Sequence, residues 1–428
     1  MGNALVVANP NPSESSSETQ GIKARPVPRI TIQCFCEEES MAEVLKTVSE
    51  DRRLMKTHIT IQMGGIRAAI AFYETSPTPN LIIMESSKPR SEMLADLDAL
   101  AESCDEGTKV IIIGHFNDVL LYRELLERGV SEYIVAPIDP IQVLESISNL
   151  FNEPGASPVG QVFAFVGAKG GVGSSTICHN VGWSISEIVS TDVVIADFDL
   201  PFGTLGLDFN QDPLRGIADA LFAPDRLDEV LLDRLLAKCS KHLSILASPG
   251  TLEREYDLGD AACEKVLDTI RHNIPFAVVD LPHVWTTWSK TLLLQADEIV
   301  VTAAPDLANL RNAKNLIELI KNFRKNDGPP ILVLNQVGMQ KRPEISITDF
   351  AGAVEIEPKA IIQFDPENFG MAANNGQMVE ETNNRAKSVQ QFRDLALTLT
   401  HREVQVEEKV KTSLLGPLLG RLGKKQNK

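Results

Sequence analysis

From Ile30 onward the chain alternates short, almost wholly apolar runs with longer stretches whose apolar residues recur every three or four positions. Short runs rich in Val and Ile, bounded by turn residues, read as buried strands, and the longer period reads as helices packed over them. The first set of runs is Ile30–Cys34, His58–Met63, Leu81–Met84, Lys109–Ile113 and Tyr133–Val135, with helices between them such as Met41–Ser49 and Asp118–Glu127. Strands alternating with helices predict an α/β domain built on a parallel sheet. The pattern breaks at Glu153-Pro154-Gly155-Ala156-Ser157-Pro158, a turn-rich linker. It resumes with Gln161–Val166, Asp192–Asp197, Leu243–Leu246, Phe276–Asp280, Glu298–Thr302, Ile331–Asn335 and Ala360–Phe364, and the last long helix is expected at Val379–His401.

The expected organisation is therefore an arm at 1–28, a small α/β domain at 29–152, a linker at 153–160, a larger α/β domain at 161–402 and a tail at 403–428. The arm is rich in Ser, Asn, Pro and Glu and has too few apolar residues to order itself. In the tail Leu414, Leu415, Leu418, Leu419 and Leu422 recur at helical spacing among Lys409, Lys411, Arg421, Lys424, Lys425 and Lys428. Such a basic amphipathic segment suits the surface of the inner membrane, although Gly416, Pro417, Gly420 and Gly423 work against a regular helix.

Composition narrows the function. The chain has 428 residues and a net charge of −17, and a DNA or RNA partner is disfavoured because phosphate-backbone affinity comes mostly from Lys and Arg. Arg311, Lys314, Lys321, Arg324 and Lys325 share one predicted helix, a run that reads more simply as a solvated face than as the basic surface of a DNA-partitioning protein. The six cysteines are scattered and form neither a disulfide framework nor a paired zinc motif. A cytoplasmic location is expected, since the start lacks a signal pattern and no run reaches about 18 apolar residues.

One segment carries chemistry. The apolar run Val162–Val166 leads into Gly167-Ala168-Lys169-Gly170-Gly171-Val172-Gly173-Ser174-Ser175-Thr176 and then into a helical stretch, Ile177–Val189. Strand, Gly-rich loop and helix is the context of a phosphate-binding P-loop, in which glycines admit the phosphates and the amides and helix start attract them. Ser175 falls where a Mg2+-binding hydroxyl belongs, supported by Thr176. Phe276-Ala277-Val278-Val279-Asp280 ends in a carboxylate suited to hold Mg2+ through water, as a Walker B strand does. Val193-Val194-Ile195-Ala196-Asp197-Phe198-Asp199 sets two more carboxylates at the end of a strand, the edge where open α/β sheets bind ligands.

Lys169-Gly170-Gly171-Val172-Gly173 resembles the deviant Walker A motif of the ParA/MinD ATPases. The resemblance implies that Lys169 reaches the nucleotide held by the partner subunit of a homodimer joined through the nucleotide face. It implies that Asp199 positions the attacking water and that Asp197 holds the loop and the metal side. Asn335 then stands where relatives read adenine, and Ile362-Gln363-Phe364-Asp365 resembles their Ile-Pro-x-Asp near the base. The family's second lysine, after the last glycine, is Ser174 here. Losing one charge-assisted contact weakens binding by roughly 1.5–3 kcal/mol, about ten- to a hundredfold. Phosphoryl transfer leans on the same charge. ATP binding with Mg2+ and slow hydrolysis are expected, a hydrolysis-dead scaffold being the alternative.

Residues 29 to 150 resemble a response-regulator receiver, a flavodoxin-like sheet. Its phosphate acceptor is replaced by Glu85, its hydroxyl position by Gly114 and its Lys-Pro pair by Ala136-Pro137. Acyl-phosphate chemistry has no support there, and a docking or dimerising module is expected. Glu37, Glu38 and Glu39 read as a solvated acidic turn before they read as a cation site. A receiver-like domain fused to this P-loop, with Asp199-Leu200-Pro201-Phe202-Gly203-Thr204 and Ala372-Ala373-Asn374-Asn375-Gly376-Gln377-Met378, resembles the CpaE/TadZ family of the Tad (Flp) pilus system. That resemblance implies a dimer that marks the assembly site at the cell pole and recruits the Tad secretion ATPase and pilus assembly proteins.

Overall fold

In the computed structural model two parallel sheets form, and the apolar runs set their strands. The structure describes residues 24–105, 107–151, 159–253 and 255–402. The first sheet holds β1 (Thr31–Cys36), β2 (His58–Met63), β3 (Leu81–Ser86), β4 (Lys109–Gly114) and β5 (Glu132–Val135), in the order β2-β1-β3-β4-β5. All pairs are parallel. This is the flavodoxin-like order. Central β3, Leu-Ile-Ile-Met-Glu-Ser, is buried along its whole length. Packing starts earlier than the expected boundary at 29: Val27 is buried in the first domain's core and its N–H bonds the Arg53 carbonyl at 2.9 Å. The Pro residues on either side of Val27 favour the extended backbone that lays it there.

The second sheet comprises β6 (Gln161–Gly167), β7 (Val193–Asp197), β8 (Ala237–Lys238), β9 (Leu243–Leu246), β10 (Phe276–Asp280), β11 (Glu298–Ala303), β12 (Ile331–Val337) and β13 (Ala360–Gln363). Its order is β13-β12-β11-β6-β10-β7-β9-β8, parallel except for the short β8 at the edge. β6 lies at the centre, which places the P-loop at the middle of the carboxyl edge. The expected helix Val379–His401 is two helices, Val379–Thr382 and Lys387–Leu399. Asn383 causes the break. Its Oδ1 accepts the Arg385 N–H at 3.1 Å and its Nδ2 donates to Asn368 at 2.9 Å, so the side chain competes with helical hydrogen bonding. After the break, Val389, Phe392, Leu395, Ala396 and Leu399 repeat at helical spacing and bury against the P-loop helix side of the sheet.

The two domains meet at the amino edge of the second sheet, opposite the P-loop. Arg52 and Arg53, from a 3-10 turn of the first domain, enter a buried cluster in the second. Arg52 Nε donates to Asp327 at 2.7 Å and its Nη1 lies 3.4 Å from Asp297. Arg53 bonds both Asp51 and Asp327. Arg324 and Arg271 complete the set, on Asp327 at 2.9 Å and Asp297 at 2.8 Å respectively. Asp297 and Asp327 precede β11 and β12, so the contact lies at the strands' starts. The expected arm at 1–28 up to Lys23, most of the linker at 153–160 and the tail at 403–428 lie outside the described residues.

Candidate functional site

The P-loop is held by its carbonyls. His283 Nδ1 donates to the Gly167 oxygen at 3.0 Å, Asn312 to that of Ala168 at 2.9 Å, Gln336 to that of Gly171 at 3.0 Å and Asn335 to that of Val172 at 2.7 Å. Four side chains, one just after β10, one on the helix Leu307–Phe323 and two from β12, thus fix the loop's peptide planes. Gln336 reaches the loop because β12 bulges between Leu334 and Val337 and Gln336 takes φ 57°. Gly171 and Gly173 have φ 79° and 84°, a region in which a side chain is strained. A Cβ on Gly170 or Gly171 would meet nothing within 4 Å, so the loop's outer side is open for close approach of an anion.

Ser174 begins the helix Ser174–Val189, and its hydroxyl is buried without a hydrogen-bond partner. Ser175 and Thr176 follow in the first turn, where the helix start favours negative charge. Lys169 is exposed and its charge helps hold the Asp306 carboxyl below its ordinary value, although burial acts the other way and the Asn309 hydrogen bonds contribute more.

Asp197 and Asp280 are neighbours in register at the carboxyl ends of β7 and β10. Both are buried. Asp280 Oδ1 is buried without a hydrogen-bond partner. Asp197 accepts the Asp199 N–H at 2.9 Å and the Ser248 hydroxyl at 2.9 Å. Burial first, and then the nearby Asp280, push Asp197 up to about 7. Asp199 is half-buried, raised mainly by burial, and accepts the Phe202 N–H at 3.2 Å. The segment after it lies tightly on Asp197: a Cβ on Gly203 would fall 2.1 Å from both Asp197 Oδ2 and Ser248 Oγ.

Not every expected residue faces open space. Asn335 spends its amide nitrogen on the P-loop, which leaves its carbonyl oxygen for a ligand. Asp365 caps the helix Pro366–Asn375, its carboxylate taking the Asn368 N–H at 3.1 Å and the Asn368 amide at 2.6 Å. It also borders a polar cleft of about 600 Å3 with Gln363, Asn368, Asn383, Arg385 and Lys387. A second cleft, of about 380 Å3, runs between Ala168, His283, Trp285, Asn312 and Leu316.

Sequence reasoning missed His179. It is completely buried on the P-loop helix, with Nδ1 2.7 Å from Asp208 and Nε2 3.6 Å from Asp280. Burial alone would lower it, but the hydrogen bond to Asp208 and the charge of Asp280 raise it to about 10, which makes it a cation at neutral pH. A histidine among Ile177, Cys178 and Val181 on the buried face was the available signal.

In the first domain Glu85 is buried and its carboxylate is used: Oε2 accepts the N–H groups of Glu37 and Glu38 at 2.7 and 2.9 Å, and Oε1 meets His115 at 3.1 Å. Glu37 itself turns to Ser87, taking its N–H at 2.8 Å. Among the described residues no group of three or more His, Cys, Asp or Glu is set to hold a metal ion. A cation at Asp280 would therefore draw on Ser175, water and phosphate oxygens, a donor set that fits Mg2+.

No protein-family model matches the chain. A pilus assembly protein CpaE from Caulobacter crescentus is 40% identical, with 98% of that chain and 30% of this one covered and a TM-score of 0.30. A ParA family ATPase from Chlorobium tepidum is 26% identical over 99% of its chain and 56% of this one, with a TM-score of 0.52. The septum site-determining protein MinD of Buchnera aphidicola from Acyrthosiphon pisum is 25% identical over 273 residues, 99% of its length and 61% of this chain.

Proposed function

The chain belongs to the ParA/MinD superfamily, in its CpaE type, and from that premise we propose that it is an ATP-binding switch that dimerises through its nucleotide face to position pilus assembly. The observation that carries the reading is the pairing of an intact, braced P-loop with a missing charge. The loop's backbone is fixed and open, and buried Asp280 and Ser174 each have an oxygen without a partner, as a site shaped for a nucleotide and Mg2+ would. Gly170, Gly171, Val172, Gly173, Ser174, Ser175 and Thr176 would hold the phosphates, Ser175, Asp197 and Asp280 the metal side, and Asn335 and Asp365 the base. Bound Mg2+ supplies charge neutralisation on the phosphates. The chain's own contribution is to fix the loop, exclude water around Asp197 and place Asp199 for a water molecule.

Lys169 supports pairing. It is exposed at the carboxyl edge, where a second subunit's nucleotide would find it. Phe202, Leu207, Val284, Trp285 and Leu307 are all about half or more exposed, on segments that leave the carboxyl ends of β7, β10 and β11. Large apolar side chains gathered round one edge suit a protein interface. Slow turnover follows from Ser174, which brings no charge to the phosphates. In this reading the first domain is a docking module for the Tad secretion ATPase and pilus assembly proteins at the pole, on the cytoplasmic face of the inner membrane. Its helix Val119–Glu127 leaves Val119 and Leu120 exposed beside Phe116.

A nucleotide-binding titration run beside a phosphate-release assay tests the reading. Saturable ATP binding with little phosphate release is expected. Fast release abolished by Asp199→Ala would replace the slow switch by an ordinary ATPase, and no ATP binding would remove the reading altogether.

A further inference from the structure

An ionisable ring in a protein interior persists where partners compensate its burial, and a ring with partners on two different elements ties those elements together. His179 is such a ring. Its Nδ1 donates to Asp208 Oδ2 at 2.7 Å, while its Nε2, which makes no hydrogen bond, faces Asp280 Oδ2 at an ion-pair distance of 3.6 Å. Asp208 ends the short helix Leu205–Asp208, and the same oxygen accepts the Thr204 hydroxyl at 3.1 Å. The Phe209 ring lies 6.3 Å from the imidazole and 6.4 Å from Trp183, also on the P-loop helix. Asp280, at the other end of the ring, has one oxygen toward His179 and one without a partner.

We propose that His179 is the positioning residue that couples Asp280 to the segment 204–211. One imidazole on the P-loop helix holds the segment through Asp208 and shares Asp280 with the ligand site. The coupling to nucleotide rests on the reading of Asp280 as a metal-side carboxylate. Any ligand that draws on Asp280 competes with His179 for it, and the ring's remaining anchor is the segment that carries exposed Leu207 and follows exposed Phe202. The segment thereby senses the site without contacting the ligand. His179 touches no reacting atom in this scheme. It acts through Asp280 on one side and Asp208 on the other.

Amide hydrogen exchange on the full chain tests this, with wild type, His179→Gln and Asp208→Asn, each with and without Mg-ATP. Without nucleotide, both variants should exchange amides 204–211 about tenfold faster, the equivalent of one lost charge-assisted hydrogen bond. β7, at 193–197, should stay as protected as in wild type. At Mg-ATP concentrations that a titration shows to saturate each protein, protection of 204–211 should change in wild type and stay constant in the variants. A merely structural histidine would lower protection everywhere, β7 included. Asp208 is partly exposed, so Asp208→Asn carries the test if His179→Gln does not fold. Wild-type exchange at 204–211 in both variants overturns the proposal, as does a variant that keeps the nucleotide response. If wild type takes up no Mg-ATP, the functional reading fails, and the nucleotide-free comparison decides by itself whether the ring holds the segment.

Discussion

Ser174 is the residue on which activity turns. The hydroxyl sits without a partner at the first position of the P-loop helix, where relatives of the ParA/MinD type are expected to carry a lysine. Ser174→Lys should raise ATP affinity by about ten- to a hundredfold, the worth of one charge-assisted contact. A fluorescent-nucleotide titration measures it, and an unchanged affinity would mean that the loop does not read phosphate charge. The P-loop glycines, Asp197 and Asp280 were legible in the sequence because their chemistry is local: a strand, a turn and a residue type. His179, Ser248 and Asp208 were not, because each matters through a partner distant in sequence that only the fold brings near. Asn335 and Asp365 show the same limit from the other side. The motif located them, but their hydrogen bonds to Val172 and Asn368 arise from β12's bulge and from a helix cap.

At the scale of elements, the buried strands followed from their apolar runs, but the edge strand β8, an Ala-Lys pair with neither residue buried, left no such run to read. The break at Asn383 was not visible, because an apolar period continues on both sides of it and the capping partner, Asn368, belongs to another helix. The segment between β7 and the helix Leu205–Asp208 leaves no room for a side chain at Gly203. Gly203→Ala would force a Cβ to within 2.1 Å of Asp197 Oδ2 and Ser248 Oγ, so the segment must move or the carboxylate must lose its hydrogen bond. Overpacking of this kind costs about 1–3 kcal/mol. Thermal unfolding should show a lower Tm for Gly203→Ala, and an equal Tm would show that the segment already stands away from Asp197.

Across the whole molecule, the receiver-like domain is fastened at the end of the second sheet remote from the P-loop. Two subunits that meet at the nucleotide edge would therefore carry their first domains outward, free for other partners. Arg52 and Asp327 hold that arrangement, and both are nearly buried. Removing one member of a buried ion pair costs about 3–5 kcal/mol, because the other is left uncompensated. Arg52→Ala should lower the unfolding free energy, read from denaturant titration, by about that amount, and a change within the error of a surface substitution would mean that the domains do not rely on the cluster. The pH dependence has a definite sign. Burial opposes ionisation of Asp327, but Arg52, Arg324 and Arg53 outweigh it and hold its carboxyl below the usual value of 3.8. Its contribution is present above that value and is lost only as pH falls toward the lowered one. The domain contact should thus persist at pH 5 and weaken below about pH 4, as followed by limited proteolysis between the domains.

In the proposed switch, nucleotide joins two copies through the edge that Lys169 occupies. Light scattering on the full chain, with and without Mg-ATP, measures it most directly. The mass should double with Mg-ATP in wild type and stay unchanged in Lys169→Ala. A wild-type mass unchanged by Mg-ATP, under conditions where the titration shows the nucleotide bound, would contradict it.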